Sequence, residues 1–464
     1  MTGSRGYHIL TWGCQMNEDD SEQLGALLEG LGYERRPTPE EADVVLLNTC
    51  SVRAKPEEKV YSKLGELRIA KQSRPEMVIG VCGCMAQVRS REIARRAPHV
   101  DLIVGTGQAG SLPRLLEERL ASDGARPRKP SEALALPGPR ERGAGALPWR
   151  GSSRAAPVRA FVPVMYGCDR FCTFCVVPLT RGRERSRPLA DIVGEVQALA
   201  RRGTREVTLL GQTVSSWGRT LPGDGVGFPD LLRRVAEVPG IERVRFTSPH
   251  PADFTEEVVE AIASTPEVCE HVHLPVQAGD DAVLRAMRRG YTVEAYRALV
   301  ESLRRAIPGV AITTDLMVGF PGETAEQAER TLAFVAAMRF DAAFMFAYSE
   351  RPGTRAARMP GAVPVEERIA RLERLIDLQN AITVERNESL LGTVAEVLVE
   401  GPTPRDPRQA QGLTRTFKSV RFDGPGSLAG TLVRVRLTEA GLTGFVGELV
   451  GGASAAPGRA HGAP

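Results

Sequence analysis

The 464-residue sequence has no stretch approaching the roughly 20 apolar residues that span a bilayer, and its start, "MTGSRGYHILTWGCQMN", lacks the long apolar core of a secretory leader. These absences argue against a membrane partner and place the chain in the cytoplasm. A charge excess is missing too: 60 Lys and Arg against 57 Asp and Glu leave a formal net charge of +3, so bulk electrostatics neither demand nor forbid a nucleic-acid partner. Apolar residues at 42% and charged residues at 25% are ordinary globular usage and exclude a largely disordered chain. Cysteine is sparse and unevenly spaced, at positions 14, 50, 82, 84, 168, 172, 175 and 269. Uneven spacing in a reducing compartment excludes a disulfide framework and leaves metal binding or catalysis.

The length exceeds what one core supports and implies two to four domains of roughly 100–200 residues. Over residues 5–121 short β-rich runs ("YHILTWG", "ADVVLLNT", "EMVIGVCG", "VDLIVGTG") alternate with helical patterns, which predicts βαβ units and a mostly parallel α/β sheet. Ser21 is the expected N-cap of the first helix and Gly32 its terminator. Residues 122–153, rich in Pro, Gly, Ala and Arg without periodicity, read as a linker. From 154 to 387 six β/α units follow, from "RAFVPVMYG" to "AAFMFAYS", and suggest a (β/α)6 partial barrel, with a doubly wound sheet as the alternative. Residues 390–453 carry β-like segments with Gly-rich turns, among them "LTRTFKSVRFD" as one run, and suggest a small β-barrel before a disordered tail at 454–464.

Cys168, Cys172 and Cys175 form C-x3-C-x2-C after the first barrel strand, at the end where such folds bind ligands. Three thiolates in one short loop suit an iron–sulfur cluster whose fourth iron stays open; a zinc site would close its tetrahedron with a fourth ligand, and none follows nearby. Cys14, Cys50 and Cys84 each lie just past a different N-terminal strand. Strand ends of a parallel sheet share one edge, so these thiols can form a second three-cysteine site, although short loops also tolerate isolated cysteines. Cys82 still lies within its strand, which favours Cys84, and Cys269 reads as a small buried apolar residue.

Gly211 and Gln212 end the second barrel strand, while Asp315 and Gly319 lie on or after the fifth, where glycine admits a close ligand and Gln or Asp can pair with amino or ribose groups. These four, together with Arg183, are the cofactor-binding candidates, with strand-end turns as the plainer reading of the four. Arg181, Arg183, Arg185 and Arg187 follow the thiol loop. Arg183 in particular could hold a carboxylate or an RNA phosphate, against the alternative of a solvated loop.

The segments "TWGCQMNEDDSE", "NTCSVR", "GCMAQ", "YGCDRFCTFCVVPLTRGRERSRP", "LLGQTV", "SPHP", "HLPVQAG", "TTDLMVGFPGET" and "FAYSERPGTRAA" together resemble the methylthiotransferase family of radical S-adenosylmethionine enzymes, over nearly the whole chain. Thr213 departs from the family's usual Asn, and the 122–153 linker is long. The resemblance implies two [4Fe-4S] clusters, a radical-generating one on Cys168, Cys172 and Cys175 and an auxiliary one on Cys14, Cys50 and Cys84. It implies S-adenosylmethionine, two consumed per product, cleaved to methionine and a 5′-deoxyadenosyl radical. The implied substrate is N6-isopentenyladenosine at position 37 of tRNAs reading codons that begin with uridine, presented on the anticodon stem-loop and methylthiolated at C2. Alternatives are threonylcarbamoyladenosine in tRNA, an aspartate of a small-subunit ribosomal protein, or, from another class, a zinc-stabilised RNA-binding protein without catalysis. The resemblance further implies an electron donor such as flavodoxin or ferredoxin, a sulfur donor, a monomeric chain, and a C-terminal OB-like TRAM barrel with Arg415, Phe417, Lys418 and Arg421 as RNA contacts.

Overall fold

The computed structural model describes residues 5–50, 54–121, 134–135, 157–223 and 225–451. The expected tail lies outside them, as does the expected linker apart from residues 134–135. These residues form two compact units.

The first unit holds the described N-terminal residues with Tyr166–Arg185 and Arg351–Thr354. Its elements are β1 (Gly6–Trp12), α1 (Gln15–Gly30), β2 (Glu34–Arg35), β3 (Val44–Thr49), α2 (Ala54–Ser73), β4 (Val78–Gly83), α3 (Cys84–Arg96), β5 (Leu102–Val104), α4 (Leu112–Leu120) and β6 (Leu134–Ala135). The sheet runs β2-β1-β3-β4-β5-β6 and is parallel throughout, as the alternation of strand and helix requires. Every residue of β3 and β4 is buried, since helices cover both faces of such a sheet.

The N-cap of α1 is Cys14 rather than Ser21. Ser21 lies a turn and a half inside the helix, its hydroxyl held by Thr11 and Asn48 instead of by free helix N–H groups. Gly32, at φ 82°, follows the helix end as expected, the left-handed conformation that lets Tyr33 N–H return to the Leu28 carbonyl at 3.0 Å.

The second unit holds the described parts of Ala155–Met165, Ser186–Glu350 and Arg355–Pro464. Its six parallel barrel strands begin with β7 (Arg159–Pro163); in chain order the short β8 (Met165–Tyr166), α5 (Val177–Thr180) of the first unit, β9 (Arg185–Ser186) and α6 (Leu189–Arg201) precede the second, β10 (Glu206–Leu210). There follow α7 (Phe228–Ala236), β11 (Arg243–Phe246), α8 (Glu256–Ser264), β12 (His271–His273), α9 (Asp281–Ala286), α10 (Val293–Ala306), β13 (Ala311–Val318), α11 (Ala325–Met338) and β14 (Ala342–Ala347). Two three-stranded sheets, β11-β10-β7 and β12-β13-β14, are linked by a bridge between Val244 and Val268, giving the partial barrel. Ala160, Val162, Val207, Leu209, Val244 and Phe246 pack outward into the main apolar core. Period-2 alternation therefore turns Arg159, Glu206, Arg243, Arg245, Thr313 and Asp315 inward.

After α12 (Val365–Glu388), strands β15 (Val394–Pro402), β16 (Gln409–Thr414), β17 (Ser419–Asp423), β18 (Leu432–Gly441) and β19 (Gly444–Leu449) close a five-stranded barrel in the order β15-β16-β17-β19-β18. "LTRTFKSVRFD" is thus two strands and not one. Phe417 takes φ 63°, its amide returns to the Thr414 carbonyl, the Lys418 amide donates to Thr414 Oγ1 and the Thr414 amide to the Lys418 carbonyl, so the run folds back as a hairpin.

Candidate functional site

The carboxyl ends of β1, β3 and β4 meet at one edge of the first sheet, and each is followed directly by a cysteine: Cys14 caps α1, Cys50 follows Thr49, and Cys84 opens α3. Gly13 and Gly83 make the convergence possible. A Cβ on Gly13 would lie 2.8 Å from the Cys50 Cβ and also strike the Asn17 amide; one on Gly83, whose φ is 89°, would lie 2.7 Å from the Thr49 carbonyl. Two buried amides lock the arrangement. Asn17 Nδ2 donates to Asn48 Oδ1 at 3.2 Å, and Asn48 Nδ2 donates to the Asn17 carbonyl and to Ser21 Oγ, both at 2.8 Å. Asn17 and Asn48 thereby join the start of α1 to the end of β3 and set Cys14 beside Cys50.

A hydrogen bond with Cys50 lowers the Cys14 thiol to about 6 against the effect of burial, aided by the Arg181 charge and nearby backbone amides. Burial raises Cys84, with Arg181 opposing. Cys82 does not join them: it is buried in the sheet's apolar core with Leu46 and Val104, and burial pushes its thiol up to about 12.

The Cys168–Cys175 loop belongs to this same unit. Cys168 and Cys172 are buried and Cys175 half-buried; the Arg170 amide points at Cys168 Sγ (3.4 Å) and the Val177 amide at Cys175 Sγ (3.5 Å). Arg181, six residues past Cys175, is nearly fully buried, donates to Asp20 on α1 at 2.6 Å, and lies beside Cys14 and Cys84. Although burial works against its charge, Asp20 and the thiols keep Arg181 protonated. It had stood in the sequence only as one of four alternating arginines; the fold selects it. Arg183 is exposed and forked onto Asp169, at 2.5 and 3.0 Å, so its charge already has a partner.

Among the described residues no three His, Cys, Asp or Glu side chains converge tightly enough to bind one metal ion. A [4Fe-4S] cubane is a wider body that takes each thiolate on a separate iron, so its ligands stand further apart than those of a single zinc. Two three-thiol sets, with amide donors aimed at sulfur in one and a buried cation beside the other, fit the donor chemistry of such clusters.

In the second unit the cofactor-binding candidates divide. A Cβ on Gly211 would lie 2.6 Å from Met165 Cγ, and one on Gly319 would strike the Arg368 side chain. The chain's own packing already requires the missing Cβ at these two positions. Gln212 presents an amide whose side-chain oxygen and nitrogen are both buried without a protein partner. Asp315 is half-buried on the inner barrel face, opposite Phe344 in register, with its Oδ1 3.5 Å from His273 Nε2. His271, His273, Thr313 and Phe344 share that face. The alternation in "HVH" and "TTDLM" was the available signal for them.

Three of the four RNA-contact candidates are turned into the second unit. Arg415 forks onto Glu270 at 2.7 and 2.9 Å and donates to the Pro266 and Val268 carbonyls; Phe417 stacks on His271; Lys418 donates to Asn387 Oδ1 at 2.8 Å. Arg415 and Lys418 thus already have protein partners, while the Phe417 ring stacks on His271 and stays 40% exposed. Arg421 is exposed on the outer face of β17.

The radical SAM superfamily matches residues 162–335, and the family described as uncharacterized protein family UPF0004 matches residues 6–105. Partial barrel and thiol loop thus define a radical SAM enzyme, a class that works with S-adenosylmethionine and a [4Fe-4S] cluster. A solved structure of the radical S-adenosylmethionine methyltransferase TsrM from Kitasatospora setae superposes with a TM-score of 0.53 at 16% identity, covering 85% of this chain and 78% of that one, a likeness of fold alone. The tRNA-2-methylthio-N(6)-dimethylallyladenosine synthase of Moorella thermoacetica is 50% identical over 96% of this chain and 98% of its own length, and that of Carboxydothermus hydrogenoformans is 45% identical over 96% and 99%. The chain belongs to this family of synthases.

Proposed function

We propose that the chain methylthiolates C2 of N6-(dimethylallyl)adenosine at position 37 in tRNAs that read codons beginning with uridine. The observation that carries this reading is end-to-end identity of 50% to a relative named for that product. In this reading Cys168, Cys172 and Cys175 hold the radical-generating [4Fe-4S] cluster and Cys14, Cys50 and Cys84 hold an auxiliary one. When bound, the clusters and S-adenosylmethionine supply a 5′-deoxyadenosyl radical, sulfur and a methyl group, which suits a C2–H bond too weakly acidic for any side-chain base. Two molecules of S-adenosylmethionine are consumed per product, and an electron donor and a sulfur donor are required.

The chain's own residues hold and orient. Arg181 balances negative charge at Cys14 and Cys84, the amides of Arg170 and Val177 support Cys168 and Cys175, and Gln212 and Asp315 offer polar groups to a nucleoside. With reductant, S-adenosylmethionine and an anticodon stem-loop bearing N6-(dimethylallyl)adenosine, the reconstituted protein is expected to yield the 2-methylthio nucleoside by mass spectrometry. Recovery of the RNA unmodified contradicts the reading.

The RNA-binding role passes to the outer face of the C-terminal barrel, where Arg421, Arg434 and Arg436 are exposed. Replacing all three by alanine is expected to weaken stem-loop binding and to flatten the plot of log K against log salt by about 0.7–0.9 per lost phosphate contact. An unchanged slope excludes this face as the phosphate contact.

Among the described residues no helix is long and apolar enough to cross a membrane. A tRNA substrate supports a cytoplasmic site of action.

A further inference from the structure

The turn between β16 and β17 has the composition of an RNA contact and is held against the amino-terminal ends of the barrel strands. Arg245, on the inner face of β11, donates from its two terminal nitrogens to the Arg415 and Thr414 carbonyls, both at 2.7 Å, while Arg243 donates to the Leu413 carbonyl at 2.7 Å. So held, the turn brings the Phe417 ring among the amino-terminal ends of the barrel strands. Its centroid is 4.9 Å from that of His271, with 15° between the rings, and the guanidinium groups of Arg245 and Arg159 lie 5.2 and 5.8 Å from it. The left-handed backbone at Phe417, a conformation unfavourable for a bulky residue, is kept by these contacts.

From His271 a polar chain runs along the inner face. His271 Nε2 lies 3.2 Å from Thr313 Oγ1, and the same oxygen lies 3.0 Å from His273 Nδ1. One hydroxyl has one proton, so it donates to one ring and accepts from the other. The Asp315 carboxylate on the far side of His273 favours one arrangement. His273 Nε2 faces the Asp315 carboxylate at 3.5 Å and carries the ring proton in the neutral form, so Nδ1 accepts from Thr313 and Thr313 accepts from His271. Burial and the Arg245 charge keep His271 itself neutral. His273 then stands edge-on to Phe344, 5.8 Å between centroids, and Phe344 is 56% exposed although it lies on the inner face of the barrel.

We propose that the β16–β17 turn is a working part of the barrel interior: through His271 and Thr313, Phe417 positions the His273 ring that, with Asp315 and Phe344, receives an adenosine. A ring N–H, a carboxylate and an exposed aromatic face are the groups that hold a ribose and a base. Phe417, His271 and Thr313 are positioning residues. The inference rests on the methylthiolation reading, in which two adenosines reach the chain, one in S-adenosylmethionine and one in the RNA.

The test uses the full chain. Thr313→Val keeps the side-chain shape and removes the hydroxyl, Thr313→Ser restores it, and Phe417→Ala removes the stacked ring. Thr313→Val and Phe417→Ala are each expected to lower methylthiolated nucleoside formed per deoxyadenosine released by about fivefold, the worth of one hydrogen bond in orientation, with Thr313→Ser recovering to within about twofold. Stem-loop affinity, measured directly, stays at the unsubstituted value for both. A rise in KM for S-adenosylmethionine assigns the adenosine to the cofactor, and lower coupling with that KM unchanged assigns it to the RNA. In 15N-histidine spectra, the His273 ring signals shift in both variants while those of His8 and His99 stay. The proposal is overturned if Thr313→Val keeps the coupling ratio and the His273 signals, or if Phe417→Ala loses RNA affinity with coupling intact. Should the unsubstituted chain make no methylthiolated nucleoside, the functional reading falls, while the ring signals still decide the geometry.

Discussion

Replacing Cys84 by alanine is expected to remove about four of the roughly eight irons per reconstituted chain and to abolish the methylthiolated nucleoside, while S-adenosylmethionine is still cleaved to deoxyadenosine. The two reactions separate because the proposed reading assigns Cys84 to the set that delivers sulfur and assigns the radical-generating cluster to Cys168, Cys172 and Cys175. Cys82→Ala, two residues away, is expected to keep the full iron content and product yield. Its thiol points into the apolar core beside Leu46 and Val104, so its loss leaves only a small cavity. Equal iron loss in both variants, or loss of product from Cys82→Ala alone, contradicts the assignment. Iron and labile sulfide assays with a paired product analysis decide it.

Glu206→Gln is expected to destabilise the second unit by about 3–5 kcal/mol, read as a shift of the urea midpoint of the whole chain. Glu206 opens β10 on the inner face of the barrel with no solvent exposure, and one carboxylate serves three guanidinium groups. Arg159 Nε is at 2.8 Å, Arg245 Nε at 3.0 Å and Arg243 at 3.8 Å. Removing the anion leaves Arg245, 3% exposed, buried without its carboxylate, and leaves the fully buried Arg243 with Glu396 alone, at 2.9 Å. Because these two arginines also hold the β16–β17 turn, the variant is further expected to loosen the C-terminal barrel, visible as faster amide exchange at Leu413–Lys418.

The pH dependence follows from the same group. Burial alone would raise the Glu206 carboxyl, yet Arg245, Arg159 and Arg243 together hold it below the ordinary 4.5. A depressed folded-state value contributes stability that is fully present above 4.5 and is lost as pH falls through the lower folded value. Glu206→Gln should flatten that acid limb. An unchanged urea midpoint with an unchanged acid limb rules out the network as a structural clamp.

Much of this architecture was legible because periodicity reports burial on each face. The six barrel strands, the long helix Val365–Glu388 and the parallel N-terminal sheet follow from runs such as "VVLLNT" and "AITTDLMV". The meeting of Cys14, Cys50 and Cys84 was legible for a topological reason: ends of neighbouring parallel strands must share an edge, however far apart they lie in sequence. The register partners of the site were not. Asn17 and Asn48 are ordinary polar residues in sequence, and only the fold shows their amides joined and buried.

The direction in which a polar turn faces was also hidden. Arg415, Phe417 and Lys418 alternate like a nucleic-acid surface, but Glu270, His271 and Asn387 await them within the second unit, and no local pattern announces partners 30 to 150 residues away. Glycine is ambiguous in a similar manner. Gly211 and Gly319 marked strand ends correctly, while the atoms that require their missing Cβ belong to Met165 and Arg368. Arg181 could not be told from Arg183 by spacing; burial against Asp20 distinguishes it.

Two three-thiol sets in one unit are the centre of this account, and the most direct measurement of them is the iron and sulfide content of anaerobically reconstituted chain. The account predicts about eight iron and eight sulfide per chain, falling to about four of each when Cys168, Cys172 and Cys175 are together replaced by alanine. A chain that saturates at about four iron before any substitution, or that takes up stoichiometric zinc in place of iron, contradicts it.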